Sequence, residues 1–338
     1  MPTSSKHQAA TLSVRFFWPF MRAVGADPRT MRIVLAEQLR YEDLTAADTR
    51  VPHSTVMRIL RNSVAALNDP QLGLKAGLSV QPGDMDVLEM TARSCSTLRE
   101  AADCVARYHR LMHDGAEVEL LEENGVATWR YRLLGLEEPP AAHDFIIAYL
   151  KTFVQILTGR DEPLLSLQFA HEDRTNLAEY ERLFRCPVTF GSEYTGCSFP
   201  ARRLDSPMPG ADRELQQLFE GQTAAKLREL DSESPLAELV RRALLRGMTT
   251  GAVEMNDIAQ QLAMSESTLR RRLKDEGTTL SELLEDTRKV RAMELLARSE
   301  LAAGEIAFLL RFSDPAAFYR AFKRWTGMTP SEYRASLK

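Results

Sequence analysis

A chain of 338 residues is long enough for two or so domains, each with its own core. Its 44% hydrophobic and 27% charged residues exclude a disordered, collagen-like or fibrous chain and describe an ordinary soluble protein. The net charge of −4 gives no bulk attraction to nucleic acid, but it is unevenly spread. Residues 236–338 carry 17 Lys and Arg against 14 Asp and Glu, and the rest carries 26 against 33.

In chain order, residues 1–10 are polar and are expected to form a disordered tail. Arg15 and Pro19 interrupt the apolar run Leu12 to Phe20, so no signal peptide is expected. No stretch approaches the ~18 apolar residues of a membrane span, and a cytoplasmic protein without membrane contact is expected. Helical periodicity marks residues 12–24, 28–40, 53–67, 70–78, 84–92 and 97–113. In the last of these, Leu98, Ala101, Ala102, Val105, Tyr108, His109 and Met112 share one face. Val118–Leu121 and Thr128–Leu133 read as strands joined through Glu122-Glu123-Asn124-Gly125. A helix over 140–158, a strand at Leu164–Ala170 and a helix over 174–184 follow. Val188–Phe190 and Cys197–Phe199 read as a final hairpin. These elements make an α+β domain with mostly antiparallel strands. A helix near 211–229 leads to a linker at 230–236, where Asp231 to Pro235 is polar and ends in proline. The expected division is an N-terminal domain over 11–229 and a C-terminal domain over 237–338.

Few residues of the first domain suggest chemistry. Cys95, Cys104, Cys186 and Cys197 form no CxxC pair and have no His at zinc spacing, so they read as reduced, mostly buried thiols. His109 and His113 are four apart, as two metal ligands on a helix would be, but no third ligand lies nearby in sequence. No metal, cofactor or catalytic residue is expected. His109, His143 and Tyr149 are kept as candidate effector contacts, the last two on a helix that can border a pocket.

The C-terminal hundred residues repeat themselves. Asp257-Ile258-Ala259, Leu262, Ser265, then Leu269-Arg270-Arg271-Arg272-Leu273-Lys274 and Gly277 form one unit. Glu305-Ile306-Ala307 opens a second, 48 residues on, with Leu310, Ser313, Phe318-Tyr319-Arg320-Ala321-Phe322-Lys323 and Gly327. Each is a helix–turn–helix: a short helix with one apolar stripe, a turn ending in a Ser suited to capping, and a helix with an apolar back and a cationic front. Leu269 and Leu273, or Phe318 and Phe322, form the back. Arg270, Arg271 and Lys274, or Tyr319, Arg320, Lys323 and Arg324, form the front, which suits the major groove. Between the units, Leu280, Leu283, Leu284, Val290, Met293 and Leu296 recur at helical spacing, with Thr278 or Thr279 able to cap the helix and Glu282 three residues on from Thr279 as in a capping box. A helix of that length spans roughly 30 Å, close to the ~34 Å between successive major grooves on one side of DNA.

The run Ile306 to Pro315, with Ala317-Phe318, Arg320 to Pro330 and Tyr333-Arg334, resembles the signature of AraC/XylS-type transcription regulators. The resemblance implies that Ser265, Ser267, Arg270 and Arg271 face bases from the first recognition helix, and Pro315, Ala316, Tyr319 and Arg320 from the second. Lys274, Lys323 and Arg324 are then phosphate contacts. The family has Gly where Ala263 and Arg311 stand, after the first helix of each unit. A residue there often takes a left-handed conformation, which costs a non-Gly side chain roughly 1 kcal/mol; either Arg311 recovers this by reaching phosphate or the turn differs.

Leu67 to Leu74, Thr97 to Ala101 and Leu183 to Gly191 resemble the N-terminal domain of one AraC subgroup, labelled arabinose-binding-like. It includes regulators of ornithine use, quorum sensing and virulence, and the label is no evidence for a sugar. The resemblance implies a sequence-specific transcription activator on double-stranded promoter DNA. It would act as a homodimer, engage RNA polymerase and respond to a small-molecule effector. The alternative is an effector-independent regulator whose N-terminal domain only dimerises or binds a protein partner.

Overall fold

The computed structural model describes residues 10–133, 136, 138–161, 163–233, 236–298 and 301–336. All but Ala10 of the expected tail lies outside them. The chain divides into two compact units, Met1–Glu229 and Leu230–Lys338. Among the described residues, no helix is long and apolar enough to cross a membrane.

The first unit opens with β1 (Thr11–Ser13), α1 (Val14–Val24), α2 (Pro28–Ala36), α3 (Tyr41–Thr45), β2 (Arg50–Pro52) and α4 (His53–Leu67). Helices α5 (Leu72–Leu78), α6 (Asp86–Ser94) and α7 (Leu98–Tyr108) follow. Next come β3 (Ala116–Glu123), β4 (Val126–Leu133), α8 (Pro140–Thr158), β5 (Ser166–Gln168), α9 (Leu177–Phe184), β6 (Val188–Thr189), β7 (Thr195–Pro200) and α10 (Arg213–Glu233).

Helix α8 is the centre of this unit. Pro140 sits in its first turn, where a missing N–H costs nothing, and Gly159 ends it at φ 70°. Every residue from Ala141 to Tyr149 is buried, so α8 is covered on all sides rather than along one stripe. Helix α5 lies against it backbone to backbone. A Cβ on Gly73 would fall 2.0 Å from the Ala141 carbonyl oxygen, and one on Gly77 would fall 2.6 Å from the Ala148 Cβ. This explains why glycine stands within the Leu72-Gly73-Leu74 run.

Beside α8 lies a five-stranded sheet in the order β3-β4-β7-β5-β6, antiparallel except for β5 with β6. Its register lines up Leu120, Trp129, Cys197, Leu167 and Val188 across one face. The expected α+β class is what the unit shows, with four differences of detail. β6 and β7 are not a hairpin, because β5 lies between them. β1 and β2 pair as a separate ribbon where a helix was expected to begin at 12. The helix expected over 97–113 ends at Tyr108 and continues as the 3-10 turn His109–Leu111. Residues 230–233, expected as linker, are still helical. All four cysteines are free and buried.

The second unit is all helical: α11 (Leu236–Thr250), α12 (Met255–Gln261), α13 (Glu266–Asp275), α14 (Leu280–Arg298), α15 (Ala303–Leu309), α16 (Pro315–Thr326) and α17 (Pro330–Ser336). It holds two cores. One joins Leu236, Val240 and Leu244 of α11 to Ile258, Leu269, Leu273, Leu280 and Leu283. The other joins Met248 to Ala292, Leu295, Leu296, Ile306, Leu310, Phe318 and Phe322. Helix α14 serves both, and its capping box forms as expected: Thr279 N–H donates to Glu282 Oε2 at 2.8 Å and Glu282 N–H to Thr279 Oγ1 at 3.3 Å. Val290, expected in its apolar stripe, is 46% exposed, because it falls between the two cores.

One carboxylate in α8 makes the first unit pH-sensitive. Asp144 accepts from Asn176 Nδ2 at 2.8 Å and from the Tyr180 hydroxyl, and Asn176 Nδ2 also reaches the Pro70 carbonyl at 2.9 Å. Burial raises its pKa from 3.8 to about 7. The folded value lies above the unfolded one, so its contribution is full below about 3.8 and is lost as pH rises through about 7. Asp144→Asn should therefore flatten the fall in stability of the first unit between about pH 4 and pH 7, where the folded carboxyl keeps a proton that the unfolded one has lost, by up to roughly 1.4 kcal/mol per pH unit, read as melting temperature against pH. An unchanged slope in the variant would show that Asp144 is not its source.

Candidate functional site

The two helix–turn–helix units are built alike down to their turns. In the first, Ala263 has φ 51°, and its N–H and that of Met264 return to the carbonyls of Gln260 and Ala259 at 3.0 and 2.8 Å. In the second, Arg311 has φ 56°, and its N–H and that of Phe312 return to Phe308 and Ala307, both at 3.0 Å. Both are left-handed helix ends of the kind that glycine normally takes. Ser265 caps α13, accepting from Thr268 N–H at 3.2 Å. The second cap is not Ser313 as expected but Asp314, whose Oδ1 accepts from Ala317 N–H at 2.8 Å. Ser313 instead donates to Asp314 Oδ2 at 3.2 Å, since Pro315 in the first turn moves the cap one residue on.

Leu269 and Leu273 anchor α13, and Phe318 and Phe322 anchor α16, all four buried. The remaining faces are open. Ser265, Ser267, Arg270, Arg271 and Lys274 are exposed on the first, and Pro315, Ala316, Tyr319, Arg320, Lys323 and Arg324 on the second. Arg270 lies 3.9 Å from Glu266, a pair too exposed to hold it. Arg324 donates to Glu285 of α14 at 2.7 Å, and Trp325 Nε1 reaches the same oxygen at 2.7 Å.

Arg311 departs from the phosphate-contact expectation. Its Nε donates to the Met248 carbonyl at 2.9 Å, so its guanidinium is turned to the end of α11. Arg288 secures the same turn from α14. Its Nε donates to Leu310 O at 2.9 Å, its Nη2 to Arg311 O at 2.5 Å, and its guanidinium lies 4.6 Å from the Phe312 ring centre.

Two cavities of the first unit share walls. One, of about 90 Å³, lies between α7, α8 and the sheet, with Leu120, Trp129 and Cys197 in its wall. The second, of about 60 Å³, shares Val105, Trp129, Leu150 and Phe153 with it. His109 and Tyr149 both line the second cavity, and His143 lines neither. His143 Nδ1 bonds Thr195 Oγ1 at 2.7 Å. His109 is occupied too, its ring nitrogens lying 2.8 Å from Ala106 O and 2.6 Å from Ala116 O. Tyr149 is different: its hydroxyl is buried without a hydrogen-bond partner. The sequence signals for this chamber were absent, because Leu120, Trp129 and Cys197 meet only through the sheet register.

His113 does not work with His109 as a pair. Its Nε2 lies 3.1 Å from His53 Nδ1, and its Nδ1 lies 2.8 Å from the Tyr131 hydroxyl, which donates to Glu138 Oε1 at 3.1 Å. Burial and then the neighbouring His53 hold the His113 pKa well below 6.5. His53, His113 and Glu138 are the one group among the described residues that offers three metal-ligand atoms, all within 4.8 Å of one another. A metal there would have to replace the direct His53–His113 bond, in which one nitrogen carries the proton.

Residues 25–208 match the family described as the arabinose-binding domain of AraC transcription regulator, N-terminal, and residues 258–336 match a helix-turn-helix domain family. The chain belongs to the AraC family of transcription regulators. It is 30% identical over 307 residues to the ornithine utilization regulator of Pseudomonas aeruginosa, covering 88% of each chain. It is 28% identical over 324 residues to the HTH-type transcriptional regulator VirS of Mycobacterium tuberculosis, covering 93% of each. The crystal structure of the transcriptional regulator CdpR from Pseudomonas aeruginosa matches 95% of this chain and 98% of its own at 22% identity, with a TM-score of 0.43. This AraC-family protein is therefore a DNA-binding transcription regulator and not an enzyme, and its helix-turn-helix domain is the part that binds DNA.

The two left-handed turns can be told apart by substitution. Ala263→Gly removes only strain and should stabilise a fragment of residues 236–338 by up to ~1 kcal/mol, raising its melting temperature by about 4–8 °C. Arg311→Gly should gain less or lose, because it also deletes the bond to Met248. Calorimetry on both variants checks this, and equal gains would mean that the Met248 contact contributes nothing.

Proposed function

We propose that this regulator is a ligand-responsive activator that binds promoter DNA as a homodimer in the cytoplasm and engages RNA polymerase. Residues 11–229 sense the effector and dimerise, and residues 237–338 read DNA. The observation that carries the DNA-reading part is the pair of recognition helices α13 and α16, each anchored by a buried apolar back and open on a cationic face. Ser265, Ser267, Arg270, Arg271, Pro315, Ala316, Tyr319 and Arg320 are assigned to bases. Lys274, Lys323 and Arg324 are assigned to phosphates. Arg311 is withdrawn from that set by its bond to Met248.

The paired cavities in the first unit favour a small-molecule effector over a domain that only dimerises. The name of the ornithine relative does not carry over easily. No Asp or Glu is among the described residues lining either cavity, so the two ammonium groups of a diamino acid would meet no carboxylate there.

Two measurements test the DNA-reading part. Arg320→Ala should cost about 1–3 kcal/mol and relax selectivity at one base pair, whereas Lys323→Ala should weaken all sequences alike and lower the salt slope by about one. An Arg320→Ala protein as tight and selective as the parent would remove that assignment. On an operator with two half-sites, the full chain should bind more tightly than residues 236–338 alone, because dimerisation raises the effective concentration of the second reader. Equal affinities would remove the dimer.

A further inference from the structure

We propose that the first unit binds a divalent transition-metal ion of the zinc type through His53, His113 and Glu138. Two imidazoles and a carboxylate are a donor set that zinc accepts, with its fourth position left to water. The three side chains offer ligand atoms that all lie within 4.8 Å of one another. They come from distant parts of the chain. His53 opens α4, His113 follows the 3-10 turn after α7, and Glu138 stands just before α8. This is why the sequence around His109 and His113 offered no third ligand.

The geometry is close to that of a loaded site. His53 Nδ1 and His113 Nε2 lie 3.1 Å apart. Two nitrogens bound at about 2.0–2.1 Å to one tetrahedral ion stand roughly 3.3 Å apart, so the pair is already at a chelating separation. The lone pair needed on His113 is fixed from its other side. Tyr131 donates its one hydroxyl proton to Glu138 Oε1 at 3.1 Å, so it accepts from His113 Nδ1 at 2.8 Å. Nδ1 therefore carries the ring proton and Nε2 the lone pair. The ion takes the place of the proton between the two rings, and His53 carries its own proton on Nε2 in the bound form. Tyr131 thus orients two of the three ligands from behind, as the outer partners of metal sites do.

Burial and rigidity favour the same reading. His53 and His113 are 4% and 2% exposed, and the Glu138 side chain is 2% exposed. A cation beside a carboxylate so deep in the unit stabilises it. Arg50 acts on His113 electrostatically, but its charge is offset by Asp114 at 3.3 Å. The backbone on either side of His113 is held in place, with Ser13 N–H donating to Met112 O at 2.8 Å and Asp114 N–H to Thr11 O at 3.1 Å. An ion here would fasten the start of α4 and the lead-in to α8 to the segment after α7.

The test is titration of the chelator-treated full chain with zinc and with cobalt(II). Zinc should bind at one ion per chain in the submicromolar range and raise the melting temperature, and cobalt should show the intense visible bands of a four-coordinate ion. His113→Gln and Glu138→Gln should each weaken zinc by about a hundredfold or more, and Tyr131→Phe, which keeps all three ligands, by about 10–100-fold. Zinc binding weaker than about 10 μM in the parent would overturn the proposal. So would a thiolate charge-transfer band in the cobalt spectrum, which would move the ion to the cysteines. Parent-like zinc affinity in Glu138→Gln and His113→Gln would overturn it as well. If a ligand variant fails to fold, the affinity and cobalt spectrum of the parent decide.

Discussion

Everything the DNA-binding unit presents depends on one helix being shared between two cores. Helix α14 places Leu280 and Leu283 in the first core and Ala292, Leu295 and Leu296 in the second. Neither helix–turn–helix could bury its short first helix alone, because α12 and α15 are only seven residues each. Fusing both to a 19-residue rod solves this and sets a span of roughly 28 Å between the ends of that rod. Arg288 shows how tightly rod and turn are joined. It closes on the carbonyls of Leu310 and Arg311, two of the acceptors that a left-handed helix end leaves open. Burial lowers its pKa, yet two hydrogen bonds and one ring contact hold the guanidinium in place.

The first unit depends on a different constraint, a helix whose stretch from Ala141 to Tyr149 is buried on every side. Polar groups on such a helix must find partners, and His143 and Asp144 do. This arrangement narrows the pH range in which the unit is most stable. The contribution of Asp144 is lost as pH rises through about 7. That of His113, kept neutral by burial with its pKa lowered, is full above 6.5 and lost as pH falls below it. The two losses run in opposite directions.

Local pattern revealed the DNA-binding unit because its logic is local. Capping by Ser265, the Thr279–Glu282 box and the apolar backs of both recognition helices all lie within a few residues of each other. The missing glycines even pointed to the left-handed backbone at Ala263 and Arg311. What was missed needed long-range information. The destination of the Arg311 side chain lies 63 residues away, and His113 meets a His53 60 residues away. The β1–β2 ribbon has three residues in each strand, too few for alternation to show. The order of the sheet, and with it the chamber wall, follows from pairing that no single strand encodes.

The caps themselves bear on how DNA is read. A helix N-terminus normally attracts phosphate through its free N–H groups. Here Ser265 accepts one such N–H in α13, and Asp314 accepts one in α16. Asp314 also brings a negative charge, its pKa lowered first by the bond from Ala317 N–H. A phosphate approaching that end of α16 would meet repulsion, which agrees with the proposed assignment of backbone phosphates to Lys323 and Arg324. Asp314 is close enough to Arg320 for the two charges to interact, so the same residue that repels phosphate from the helix start attracts the side chain assigned to a base. Under the proposed assignment of Arg320 to a base, one carboxylate thus both caps α16 and interacts with the side chain proposed to read.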